Sequence, residues 1–301
     1  PGKNTSILEI VDFLNARARE NQWGFVDFNR PMVAINQWEQ AADSMYTLCG
    51  KDRIHPSTDG HLVMAYLFLK AQGLAGKPVA DIRIDGAGKK VTRSDNCRVS
   101  DLSVSSDNLT FTYEAKSLPY PIDTSYYDNE KHTQADALSV IPFMDEMNYE
   151  GLSVSGLSDG YYGLTIGGEF IGRFTARELE RGINMALLQN TPQYKQAMKI
   201  RQMNEERWLK ERKMREFYWV EYNLMRKTGM LWACDEAAVD TLRKYRPHDI
   251  FLQWNGDLWL QYMHKGIRED CVNEQQNLVD RIYEQNKPIP LRIEIKKFTD
   301  L

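Results

Sequence analysis

Apolar positions recur at helical spacing from the start of the chain. In TSILEIVDFLNARARE (residues 5–20) Ile7, Ile10, Val11 and Leu14 make one stripe, and Ser6 with Glu9 forms a capping box. WGFVDF (23–28) reads as a short buried strand, and an apolar helix runs from about Asp59 to Gln72 with Gly73 as its stop. One strand cannot cover the apolar faces of two helices, because a layered α/β domain buries each helix against a multi-stranded sheet. The first 75 residues therefore read as the back end of an α/β domain, covered by an N-terminal piece of the same protein or by a partner subunit.

From Lys77 the pattern changes to period two. VADIRI, CRVSDLSVSS and LTFTYEA read as strands, with Leu109, Phe111 and Tyr113 on one face. Residues 117–140, rich in Pro, Tyr, Asp and Ser without periodicity, read as a long surface loop. GLSVSGLSDGYYGLTIGGEFIGRF (151–174) supplies three strands of a meander, with hairpin signals at Asp159-Gly160 and Gly167-Gly168. Thr175 and Glu178 form a capping box for a short helix, and Thr191-Pro192 opens a long one over 192–227. Further helices are predicted at about 235–245 and 268–285, and IPLRIEIKKF (289–298) alternates like a final strand. The expected organisation is 1–75, part of an α/β domain; 76–186, a β-rich module; and 187–301, helices with a closing strand.

Composition narrows the function classes. The 301 residues carry a net charge of −4 with both signs interspersed, which offers no large basic field for nucleic acid. The longest apolar run, LVMAYLFL (62–69), is far shorter than a bilayer span. The chain opens on PGKNTS without a Met, which leaves room for a targeting segment upstream. Cys49, Cys97, Cys234 and Cys271 are far apart and form no CxxC pair, so no zinc or redox motif is implied.

The stretch GKDRIHPSTDGH (50–61) carries the chemistry. Asp52 and His55, spaced D-x-x-H in a polar loop before a helix, can place the carboxylate on Nδ1–H and leave Nε2 free to take a proton from a nucleophile. The bland alternative makes Asp52 and His55 ordinary turn residues and Asp59 a favourable charge in a helix's first turn.

With its flanking Pro56 and Asp59-Gly60-His61, this stretch resembles the last conserved block of the SGNH (GDSL) hydrolases, serine esterases on a flavodoxin-like α/β/α sandwich. The resemblance covers about residues 5–73, and the 151–187 segment looks like the C-terminal extension of certain large bacterial members. It implies that Asp52 and His55 are the acid and base of a catalytic triad. It further implies an acyl-ester substrate such as an O-acetylated carbohydrate, no cofactor, and a periplasmic or secreted setting. The Gly-Asp-Ser block with the nucleophile and the blocks completing the oxyanion hole are absent from these 301 residues. The chain alone is therefore expected to be inactive.

Other candidates read as structural. Gly151-Leu152-Ser153-Val154-Ser155 lacks the second Gly of a nucleophile elbow and lies in an alternating strand. Ser57 and Thr58 suit helix capping. His61 reads as a packing residue, and His132, His248 and His264 have no partners at metal-ligand spacing. The 192–227 helix has ten Lys or Arg against five Glu, but Glu206–Lys210 and Glu211–Arg215 are i,i+4 pairs. Met203, Met214, Phe217 and Leu224 make a packing stripe there. Trp254, Trp259 and Tyr262 are expected to be buried, with stacking on sugars the lesser alternative. The rival to an esterase is a carbohydrate- or protein-binding fragment with an inert hydrolase remnant.

Overall fold

A computed structural model describes residues 2–126 and 132–298. The chain forms two compact units, Pro1–Tyr194 together with Pro288–Leu301, and Lys195–Lys287. In the first unit, helices α1 (Gly2–Asn21), α2 (Asn29–Glu39) and α3 (Thr58–Ala71) precede strands β1 (Ala80–Asp85), β2 (Lys90–Asp95), β3 (Cys97–Val104) and β4 (Asn108–Ala115). There follow α4 (Phe143–Glu146), β5 (Glu150–Ser155), β6 (Tyr161–Ile166), β7 (Glu169–Thr175), α5 (Ala176–Arg181) and β8 (Ile183–Asn184). The long helix α6 (Pro192–Val220) then leads to α7 (Glu236–Tyr245), α8 (Ile250–Tyr262) and α9 (Lys265–Gln285), and β9 (Leu291–Lys297) closes the chain.

The strands form two sheets, ordered β2-β1-β5-β8 and β3-β4-β9-β6-β7. Alternation puts Leu109, Phe111 and Tyr113 of β4 on one face, and the register sets them opposite Ile295, Ile293 and Leu291 of β9. Leu164 and Ile166 of β6 meet β9 from its other side. These side chains pack with Ile82, Ile84, Leu152 and Val154 of the other sheet into one dry core. The final strand, grouped by sequence with the C-terminal helices, is thus central to the β core.

Three local expectations hold. Gly167 and Gly168, both at positive φ, turn β6 into β7. Thr175 and Glu178 cap α5 reciprocally. Thr191 Oγ1 accepts from the Tyr194 amide at the start of α6.

Four need correction. Helix α1 starts at Gly2, so Ser6 and Glu9 lie inside it rather than capping it. Residues 23–28 form no strand, because a strand needs a neighbour to complete its ladder and none of the described strands reaches them. The 151–174 meander is only a hairpin, since β5 leaves it to pair in parallel with β1, and Asp159-Gly160 lies in the crossing between sheets. Finally, the described part of 117–140 is not a surface loop throughout, since Pro119, Pro121, Ile122, Asp123, Thr133 and Ala137 are buried. Asn148 accepts from the Tyr120 amide and donates to its carbonyl, Tyr194 donates to the Ile122 carbonyl, and Thr133 with Asp136 caps a 3₁₀ turn over Gln134–Ser139. Residues 127–131 of that stretch lie outside the described residues.

The second unit has its own core of Met214, Phe217, Leu224, Leu242, Trp259 and Tyr262. Helix α6 passes into a π-helical turn at Glu221–Met225, where buried Glu221 accepts from Trp259 Nε1 at 2.8 Å and from the Trp232 amide at 2.9 Å. The expected packing stripe is buried, and Arg215 pairs with Glu211 at 2.9 Å. Trp254 departs from the expectation and stands exposed. Among the described residues no helix is long and apolar enough to cross a membrane.

Candidate active site

The polar loop is tied off at its base before α3 begins. Cys49 and Pro56 form an isolated antiparallel bridge, Gly50 donates to the His55 carbonyl at 2.8 Å, and the Ser57 amide donates to the Leu48 carbonyl at 3.0 Å. Leu48 is fully buried and its amide donates to Asn36 Oδ1, so α2 holds one root of the loop. Gly60 is required at the other root, since a Cβ there would run into the Leu48 carbonyl. The ends are fixed while the tip is left in solvent.

Inside that loop the D-x-x-H spacing closes as expected. Asp52 Oδ2 lies 2.6 Å from His55 Nδ1, and Asp52 Oδ1 accepts from the amides of Ile54 at 2.9 Å and His55 at 3.1 Å. Arg53 takes a positive φ between the two residues, which folds the loop back on itself. The hydrogen bond to His55, followed by those from the two amides, holds the Asp52 carboxyl down at about 2. Asp52 is therefore ionised throughout the neutral range and fixes the proton on Nδ1. The His55 side chain is 84% exposed, and Nε2 makes no hydrogen bond among the described residues.

The serines weighed as candidates are committed elsewhere. Ser57 is buried, its hydroxyl donating to the Leu48 carbonyl at 3.1 Å and to Asp59, so it is part of the helix start and not a nucleophile for His55. Ser153 and Ser155 lie within β5, away from any strand-to-helix turn.

His61 departs from its sequence reading, and His132 gains a contact that the sequence did not show. His61 is exposed and lines a cleft of about 610 Å³ with Leu62, Leu69, Val79, Leu118 and Phe143, so it is not a packing residue. His132 has a partner, its Nδ1 lying 3.6 Å from Oδ2 of the buried Asp59 with its ring edge-on to Tyr46. Burial, then the Asp59 charge, pushes the Tyr46 hydroxyl up to about 12. No sequence signal could have joined residues 59 and 132, because the contact depends on the 117–140 segment folding back over α3. Among the described residues no three His, Cys, Asp or Glu side chains gather as a metal site, and the four cysteines are free.

Around the site, apolar side chains stand uncovered. On α1, Ile7, Ile10, Phe13 and Leu14 are exposed, as are Trp23 and Trp38, the latter at 81%. Helix α2 buries no residue at all.

Comparison with known proteins adds two findings. Residues 198–287 match the family described as the Diltiazem deacetylase C-terminal helical domain. The solved structure of a gut microbial diltiazem-metabolizing enzyme is 41% identical, with a TM-score of 0.91 over 98% of this chain. The match covers 66% of that enzyme, so the chain spans a little under two thirds of its length and shares its mixed α/β fold. No curated protein matches.

Proposed function

We propose that the chain supplies the acid–base pair of a serine-dependent carboxyl-ester hydrolase of SGNH type. The observation that carries this reading is the 2.6 Å Asp52–His55 contact on a loop with fixed roots, with Nε2 open to an incoming group. The likeness to an enzyme that metabolises diltiazem, and to a family whose name specifies deacetylation, supports an acyl ester as the substrate class. An O-acetylated carbohydrate is proposed as the physiological ester on the SGNH resemblance of the 50–61 stretch.

In this mechanism Asp52 keeps the Nδ1 proton in place and Nε2 accepts the proton of a serine hydroxyl as its oxygen attacks the ester carbonyl carbon. The imidazolium then returns that proton to the departing alkoxide, leaving an acyl-serine. Water repeats the sequence: Nε2 takes its proton, the hydroxide oxygen attacks the acyl carbon, and the proton passes back to the serine oxygen. The serine and the oxyanion donors are proposed to come from polypeptide beyond these 301 residues, which would also cover the exposed faces of α1 and α2.

The test joins the 301-residue chain to that further polypeptide. Hydrolysis of an aryl acetate by the longer protein, lost in His55→Ala, is the expected result; undiminished hydrolysis in His55→Ala would refute the assignment.

A further inference from the structure

The first unit holds a buried carboxyl that the proposed reaction does not use. Glu150 opens β5 and is fully buried. Its amide is held by Asn184 Oδ1 at 2.9 Å. Its Oε1 accepts twice, from the Tyr113 hydroxyl of β4 at 2.8 Å and from Nε2 of Gln193, in the first turn of α6, at 3.2 Å.

The remaining atoms do not balance. Glu150 Oε2 and Gln193 Oε1 are both buried and both lack a partner. Both are acceptors, so neither can satisfy the other while Glu150 is ionised. Turning the Gln193 amide over moves its donor without adding one. A single proton on Oε2 supplies the missing donor, because the amide that already reaches Oε1 carries its own oxygen on the same carbon.

We propose that Glu150 is a neutral carboxylic acid in the native protein, joined to Gln193 as a cyclic acid–amide pair, and that this pair is a latch between β5 and the first turn of α6 that deprotonation releases. Its surroundings favour the neutral form. Burial drives the carboxyl up to about 7 against the opposing hydrogen bonds from Tyr113 and Gln193. Tyr113, the titratable group that faces it, is itself pushed far above its ordinary value by burial and by Glu150, and so stays a neutral donor. Behind Tyr113, burial raises the Cys97 thiol as well. Among the described residues no Lys, Arg or His pairs with Glu150.

The latch sits where the chain leaves the first unit, since Gln193 and Tyr194 belong to that unit and Lys195 to the next. The sign of its pH response follows from proton counting. An unfolded Glu releases its proton near 4.5, whereas the native one keeps it to about 7. Between those values the native state binds more protons, so the latch's contribution is complete below about 4.5 and is lost as pH rises through about 7. Over that window the folded-to-unfolded ratio falls by up to about tenfold per pH unit.

The test follows the Glu side-chain carboxyl carbons of the 301-residue chain by NMR during a pH titration, beside the melting temperature of Glu150→Gln. One carboxyl titrating near 7, absent from Glu150→Gln, is expected. That variant keeps both hydrogen bonds as an amide–amide pair and should lose the parent's fall in melting temperature between about pH 5 and 8. Ionisation of every Glu by about pH 5.5 would overturn the latch, as a buried water bridging the two acceptors would produce. A pH dependence of melting shared by variant and parent would overturn it too. Should the variant not fold, the titration of the native chain decides alone.

Discussion

The β core and the N-terminal helices of the first unit are built from comparable sequence patterns and reach opposite ends. In the core, every apolar position of β4 and β9 that alternation assigns inward meets a partner across the ladder, so Phe111, Tyr113, Leu164 and Ile293 are sealed from solvent. In α1 an equally regular stripe of Ile7, Ile10 and Leu14 is left exposed, and of its described side chains only Ala18 is buried. Each such side chain is worth about 1.5–3 kcal/mol when buried. The difference shows that an amphipathic pattern fixes which face wants cover, while the cover itself belongs to the partner surface. The His55 loop combines both conditions, rooted in buried Leu48 and open at its tip.

The largest effect should come from the loop. Within the longer protein proposed above, His55→Ala and Asp52→Asn are each expected to lower ester turnover by about two to four orders of magnitude with circular dichroism unchanged. Wild-type turnover in either variant would remove that residue from the site. Next, truncation should separate the two regions in the 301-residue chain. Phe111→Ala should cost about 3–5 kcal/mol in denaturant unfolding, whereas Phe13→Ala should stay within about 0.5 kcal/mol. In the longer protein, where α1 is proposed to be covered, Phe13→Ala should become costly, and an unchanged value would break the comparison. A smaller change tests the caps: Thr175→Ala removes the acceptor of the Glu178 amide and should cost about 1 kcal/mol. The smallest effect is in acid. The Asp52 carboxyl is held at about 2, below its ordinary 3.8, so its hold on the loop persists above 3.8 and is lost as pH falls toward 2. The protection of the Ile54 and His55 amides, taken as exchange relative to the intrinsic rate at each pH, should fall only in that range.

What sequence made legible was local. Thr175 with Glu178, Thr191 before Pro192, Gly167-Gly168 and the Asp52–His55 spacing each depend on residues within a few positions, and each appears as read. What sequence hid was set at long range. The parallel pairing of β5 with β1 joins residues about seventy positions apart, and nothing in GLSVS distinguishes it from a meander strand. WGFVDF has strand composition but no strand beside it. The burial of Pro119, Pro121, Ile122 and Asp123 goes with Asn148 and Tyr194 satisfying the backbone of Tyr120 and Ile122, and the Asp59–His132 contact is equally long-range. In the second unit the aromatic run of α8 could not declare that Trp259 points inward to Glu221 while Trp254 faces solvent.

The central claim is that His55 activates a serine located outside these 301 residues. The most direct measurement treats the 301-residue chain and the longer protein with a serine-directed fluorophosphonate and locates the adduct by peptide mass spectrometry. The account predicts no adduct on the 301-residue chain and one adduct on a serine of the added polypeptide, its formation slowed by His55→Ala. An adduct on a serine within residues 1–301, or one that forms equally fast without His55, would contradict it.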